Sequence, residues 1–181
     1  MALKLHLLSG NAIEKQKNIE YQKYHIRTNK EKFNLSSEQK IAFEELIKYD
    51  NSFRVHLLQG TTGSGKTIVY FKAIEKILNQ GHQSLILLPE IGLTGEFEKK
   101  FMKFFGFQAA VWHSKITIKR KKIIWSGLAN GEIKVVIGAR SALFLPFKQL
   151  GLIIVDEEHD QSFKQDEGIT YNARDMAIAR A

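Results

Sequence analysis

Two short runs of residues in this sequence have the side chains needed to split a nucleotide. The first, Gly60-Thr61-Thr62-Gly63-Ser64-Gly65-Lys66-Thr67, fits the pattern GxxxxGK[ST]. Glycines at these places let backbone N–H groups close around phosphate, Lys66 reaches the outer phosphates, and the Thr67 hydroxyl ligates Mg²⁺. A helix starting there points its positive end at the anion. The second run, Asp156-Glu157-Glu158-His159, follows the apolar stretch Gly151-Leu152-Ile153-Ile154-Val155. An aspartate at that strand end can hold the hydration shell of Mg²⁺, and the adjacent Glu157 can polarise a water for in-line attack on the γ-phosphate. Taken alone, the first run is also compatible with a ligand-free Gly-rich turn and the second with a solvated acidic turn; their co-occurrence favours a nucleotide site.

Positioning these groups requires strands and helices in alternation. Phe53–Gln59 reads as a short strand feeding the loop, and Ile68–Leu78 has the apolar spacing of the helix leaving it. Ser84–Leu88, Gln108–Trp112, Lys134–Gly138 and Leu152–Asp156 read as further strands, the last suited to burial on both faces. Leu93–Phe105, Thr117–Ala129 and Ala173–Ala181 have helical spacing, and the stretch after Asp160 is loop-like to about Tyr171. This alternation predicts an α/β fold in which a parallel sheet with right-handed crossovers is flanked by helices on both faces. Asp156 would then emerge at the carboxyl edge of the sheet beside the Gly60–Thr67 loop.

Upstream, Ser36 and Gln39 form the S/TxxE/Q signature of a helix capping box, and Ile41, Phe43, Leu46 and Ile47 give that helix an apolar face. Gln39 has two readings, a cap or a reader of the adenine edge. Residues 1–33 are rich in lysine and asparagine and lack the apolar content for a core, which marks a linker or the remnant of a preceding domain; the folded unit is expected over 34–181.

With 181 residues and 44% hydrophobic content, the chain can bury one substantial core. The absence of cysteine excludes disulfides and thiolate metal sites, so no zinc is expected, and it fits a reducing, cytoplasmic setting. No apolar run approaches the ~20 residues that span a bilayer, so no membrane partner is expected. A formal charge of +8 favours a polyanionic partner, although lysine-rich composition throughout the chain accounts for part of it. The densest basic run, Lys119-Arg120-Lys121-Lys122, reads as a solvated helix face opposite Ile123, Ile124 and Trp125.

Several predicted strand ends carry groups suited to holding a phosphodiester backbone: Thr94, His113, Ser114, Arg140 and Ser141. Helix capping and turn formation are the competing explanation for Thr94 and Ser114. Phe163, Lys164 and Tyr171 lie in a stretch of interleaved aromatic, polar and basic residues. Such a stretch suits base stacking on a single strand, or packing against the sheet.

In order along the chain, Gly60–Thr67, Leu88-Pro89-Glu90-Ile91-Gly92-Leu93-Thr94, His113-Ser114, Gly138-Ala139-Arg140-Ser141-Ala142-Leu143-Phe144 and Asp156-Glu157-Glu158-His159-Asp160 with Phe163-Lys164-Gln165 resemble the first motor lobe of the bacterial replication-restart DNA helicases of superfamily 2. The aromatic stretch after Asp156–His159, with Ala173-Arg174-Asp175, separates this family from RecG-like and DEAD-box relatives. The resemblance implies a RecA-like P-loop NTPase domain, ATP as substrate with Mg²⁺, and a 3′ to 5′ helicase acting on forked or single-stranded DNA. It further implies primosome and single-strand-binding proteins as partners. By position it makes Lys66, Asp156 and Glu157 the catalytic groups, Gln39 and Gly60–Thr67 the nucleotide site, Thr67 and Asp156 the Mg²⁺ ligands, and His159 the coupling residue. Thr94, His113, Ser114, Arg140, Ser141, Phe163 and Lys164 become the DNA contacts.

The family also has a second motor lobe with an arginine finger and zinc-binding cysteines, which this sequence does not contain. The expectation is therefore one lobe of a larger motor. A catalytically idle nucleotide- and DNA-binding unit, or a P-loop ATPase moving on double-stranded DNA, are the alternatives.

Overall fold

The structure, a computed structural model, describes residues 33–48, 52–61, 63–165 and 170–181. Helices α1 (Ser37–Ile47) and α2 (Lys66–Asn79) precede β1 (Gln83–Leu87), α3 (Gly95–Phe105), β2 (Ala110–Trp112), α4 (Ile118–Ala129), β3 (Val135–Gly138) and β4 (Leu150–Val155). A two-stranded hairpin of β5 (Lys164–Gln165) and β6 (Tyr171–Asn172) leads into α5 (Ala173–Arg180). Nearly all of the 1–33 segment, everything before Phe33, lies outside the described residues.

Strands β1 to β4 form one parallel sheet in the order β2-β3-β1-β4. That order explains where the helices lie. The chain moves one way along the sheet from β1 to β2 and the opposite way from β2 to β3. Right-handed crossovers in opposite directions must place α3 and α4 on opposite faces. Period-two alternation along the strands then feeds two cores. Leu85, Leu87 and Val136 pack with Ile124 and Leu128 of α4 and Ala173 and Ala177 of α5. Ile86 and Ile137 pack with Tyr70, Phe71 and Ile74 of α2 and Phe101, Phe104 and Phe105 of α3. The expected parallel sheet with helices on both faces is what forms.

Phe71 is the hub of the second core, with ring centroids 5.3 to 5.8 Å from those of Phe97, Phe101, Phe104 and Phe105. Full burial of each such ring stabilises the fold by roughly 1.5–3 kcal/mol, and edge-to-face pairing adds to that. Gln83 is a polar residue in the interior, and it is satisfied. Its amide donates to the carbonyls of Leu128 at 3.1 Å and Ile133 at 2.7 Å and accepts from the Gln149 N–H at 2.9 Å. It thereby ties the end of α4 to the entries of β3 and β4.

Four local expectations are corrected. Phe53–Gln59 is not a strand: it is extended and exposed, with Phe53, Val55 and Leu57 between 58% and 69% accessible. Its alternation is strand-like, but a strand requires a ladder partner, and none exists among the described residues. For the same reason β4 is only half-buried, because its outer edge pairs with no described strand. The loop expected after Asp160 contains a short 3₁₀ turn, Gln161–Phe163, and the β5–β6 hairpin. On α1, Ile41 is 63% exposed, whereas Phe43, Leu46 and Ile47 are half-buried.

Gly138 sits where no side chain fits. A Cβ there would lie 2.6 Å from the Ala142 Cβ and 2.9 Å from the Trp112 carbonyl oxygen. The backbone oxygen belongs to the paired β2 strand and has little room to retreat. Gly138→Ala is therefore expected to destabilise the fold by about 2 kcal/mol, as overpacking does, seen as a lower urea midpoint with an unchanged slope.

Among the described residues no helix is long and apolar enough to cross a membrane.

Candidate nucleotide and nucleic-acid site

The Gly60–Thr67 loop opens directly into α2, whose first residue is Lys66 and whose cap is Gly65 in the left-handed region at φ 82°. Gly63 is also left-handed at φ 84°, a conformation that glycine adopts without the Cβ penalty. Lys66 folds over the loop: its ammonium donates to the carbonyls of Gly60 at 2.6 Å and Thr61 at 3.3 Å. The cation is thus held above the turn that would receive phosphate. Thr62 lies outside the described residues.

Gln39 reaches this loop from α1. Its Oε1 accepts from the Ser36 N–H at 3.0 Å and its N–H donates to Ser36 Oγ at 3.3 Å, completing the capping box. Its Nε2 donates to the Ser64 carbonyl at 3.0 Å. Each end of the amide is therefore engaged once, which leaves one N–H and one lone pair for a further contact. A Cβ on Gly65 would collide with the Gln39 amide, so the contact between α1 and the loop also depends on that glycine.

At the end of β4, the Asp156 N–H bonds the Leu87 carbonyl at 3.0 Å, which extends the β1–β4 ladder by one residue. The carboxylate is held at both oxygens. Oδ1 accepts from the Glu157 N–H at 3.1 Å, and Oδ2 accepts from the Tyr70 hydroxyl at 2.9 Å. Tyr70 lies on α2, three residues after Thr67. Burial first, then the neighbouring Asp156 carboxylate, pushes the Tyr70 phenol above its ordinary value, so it stays a protonated donor. Through this one hydroxyl the loop helix and the acidic turn are brought together.

Glu157 adopts φ 52°, the one left-handed non-glycine residue among those described. Such a conformation costs of order 1 kcal/mol or more and is concentrated at functional turns. Its carboxylate is exposed and lies 3.6 Å from His159 Nε2. Glu158 turns away to pair with Arg174 of α5 at 3.1 Å, and Asp160 caps the following turn through the Ser162 N–H at 2.7 Å. Ser162, through its side chain first and then its N–H, holds the Asp160 carboxyl below its usual range.

Among the described residues no three His, Asp or Glu side chains are grouped to cage a metal. That is compatible with Mg²⁺, which usually takes one or two protein ligands and completes its shell with waters and substrate phosphates. Thr67, and Asp156 tied by Tyr70 to the same helix, fit that donor set. Bound there, Mg²⁺ would neutralise charge developing on the phosphates.

The remaining polar positions divide into two groups. His113 and Ser114 line a cleft with Glu90, Leu93 and Lys115, and Thr94 follows Leu93 as the exposed cap residue of α3. The Thr94 side chain makes no capping bond, so the capping explanation does not account for its hydroxyl. Arg140 and Ser141 have structural work instead: the Arg140 guanidinium donates to the Lys164 carbonyl, and Ser141 Oγ accepts from the Trp112 indole at 3.2 Å. Phe163 corrects the stacking expectation. It is 1% exposed, packed in the core beside α5, where no base reaches it. The adjacent Lys164 is exposed.

Sequence reasoning passed over two residues. Tyr70 is one; its position three residues after Thr67, on the same helix face, was the available signal. Phe144 is the other, a 53% exposed ring edge-on to the half-buried Tyr171 at 5.6 Å. On α4, Lys119, Arg120 and Lys122 are exposed as expected, but Trp125 is 50% exposed and not part of the buried face.

Comparison with known proteins agrees with this geometry. Residues 16–178 match the family described as Type III restriction enzyme, res subunit. The replication restart protein PriA of Rickettsia felis is 52% identical over 146 residues, which cover 81% of this chain and 22% of that protein. The PriA proteins of Haemophilus influenzae and Bacillus subtilis are 46% and 45% identical over 81% of this chain, covering 20% and 18% of their own lengths. The chain thus spans about a fifth of the relatives it matches. With a parallel sheet flanked by helices, a P-loop capped by α2 and an acidic turn at the end of β4, it belongs to this helicase family and is a homologue of the replication restart proteins PriA.

Proposed function

We propose that this chain is the ATP-binding lobe of an ATP-dependent DNA helicase that unwinds stalled replication forks 3′ to 5′ and initiates replication restart. The observation that carries this reading is the Tyr70–Asp156 hydrogen bond, which ties the carboxylate turn to the helix leaving the phosphate loop. Lys66, Gly60, Thr61, Thr62, Gly63, Ser64, Gly65 and Thr67 hold the phosphates, with Gln39 bracing the loop. Thr67 and Asp156 hold Mg²⁺, and Glu157 orients the attacking water. His159, 3.6 Å from Glu157, couples that carboxylate to the segment that follows it.

DNA lies along the carboxyl edge of the sheet, on Thr94, His113, Ser114, Arg140 and Lys164. Arg140 keeps donors beyond the one given to Lys164, since a guanidinium has five N–H groups. The setting is the cytoplasm, with primosome and single-strand-binding proteins as partners. Arg174 and Arg180 are engaged by Glu158 and Asp175, and by the Leu145 carbonyl. A cation on the transferring phosphate is typically worth 10³ to 10⁵ in rate, so turnover by this chain alone is expected to be slow.

DNA binding tests the strand contacts. Affinity for a forked oligonucleotide is expected to fall as salt rises, and Arg140→Ala is expected to weaken it about 5-fold and reduce the salt slope by about 1. Equal affinity and slope in the variant would remove Arg140 from the interface.

A further inference from the structure

We propose that Tyr70 is a positioning residue for the Mg²⁺ site, its single hydroxyl holding the Asp156 carboxylate against the helix that begins at Lys66 and Thr67. The proposal rests on the nucleotide reading above and adds a residue to it. Two observations support it. Tyr70 is 6% exposed, with its ring held edge-on to Phe71 at 5.4 Å, so the hydroxyl has one well-defined place. That hydroxyl donates to Asp156 Oδ2 at 2.9 Å across 86 residues of sequence.

The direction of the Tyr70 bond suits a metal site. Tyr70 has one proton to give, and Asp156 takes it. Asp156, with one bond at each oxygen, retains lone pairs for the hydration shell of the cation. Groups that orient metal ligands in this way commonly change metal affinity by 10- to 100-fold when removed.

The test is Tyr70→Phe in the full chain, which keeps the ring and deletes the hydroxyl. ADP and ATP affinities are measured by calorimetry in EDTA and across a Mg²⁺ titration, with the melting temperature as a control for folding. Tyr70→Phe is expected to leave the EDTA affinity unchanged and to raise the Mg²⁺ concentration needed for half-maximal enhancement about 10-fold. In an Asp156→Asn background, adding Tyr70→Phe is expected to have no further effect, because Tyr70 acts through that carboxylate.

An unchanged Mg²⁺ midpoint in Tyr70→Phe overturns the role of Tyr70 and leaves the nucleotide site standing. Equal loss with and without Mg²⁺ also overturns it, since that marks a packing effect. If the unsubstituted chain binds no nucleotide in either condition, the nucleotide reading falls and this proposal with it.

Discussion

Replacing Lys66 by alanine is expected to lower affinity for ATP–Mg²⁺ about 100-fold while leaving the melting temperature nearly unchanged. Its ammonium already rests over the loop, 2.6 Å from the Gly60 carbonyl and 3.3 Å from that of Thr61. Phosphate arriving at the loop therefore meets a cation that needs only a short swing to reach it. Hydrogen bonds to charged groups contribute about 1.5–3 kcal/mol each, and 1.4 kcal/mol is tenfold in affinity. Loss of one or two such bonds gives the stated factor. The fold is spared because Lys66 is half-buried at a helix start and its two partners are exposed carbonyls that water can satisfy. Titration with a fluorescent ATP analogue, alongside a thermal melt, separates the two effects. Retained affinity would mean that the loop is not the phosphate site.

The largest stability effect is expected from Phe71→Ala. This ring is 2% exposed and meets Tyr70, Phe97, Phe101, Phe104 and Phe105, so α2 is fastened to α3 mainly through it. Truncating a buried phenylalanine costs about 3–5 kcal/mol, the larger values arising where neighbours do not collapse into the space. Six aromatic rings wedged between a helix pair and a sheet have little freedom to do so. Against a typical total of about 5–15 kcal/mol, this removes a large share of the stability. Urea unfolding should show a much lower midpoint at similar slope. Nucleotide binding should fail at temperatures where the unsubstituted protein binds, because Tyr70 and Lys66 ride on the same helix.

What the sequence made legible follows the range of the interactions involved. The loop at Gly60–Thr67 and the Ser36–Gln39 cap are set by residues within a few positions of each other, and each appears as read. The parallel order was legible because alternation of strands and helices leaves few topologies. Contacts made across the chain were not. Tyr70 looked like one more apolar position on α2, and only the fold shows its hydroxyl meeting Asp156. Phe163 shared its aromatic and basic neighbours with base-stacking segments, yet the 3₁₀ turn after Asp160 rotates it into the core. Phe53–Gln59 carries the alternation of a strand, but pairing is a property of two segments, and composition describes one.

The central claim is that the Gly60–Thr67 loop and the Asp156–Glu157 turn form one Mg²⁺-dependent nucleotide site. Calorimetric titration of ATP into the chain, with Mg²⁺ and then with EDTA, tests it most directly, using Asp156→Asn as the comparison. The account predicts saturable binding at one nucleotide per chain, tightened by Mg²⁺, with that tightening lost in Asp156→Asn. Absence of saturable binding, or an equal Mg²⁺ effect in Asp156→Asn, would contradict it.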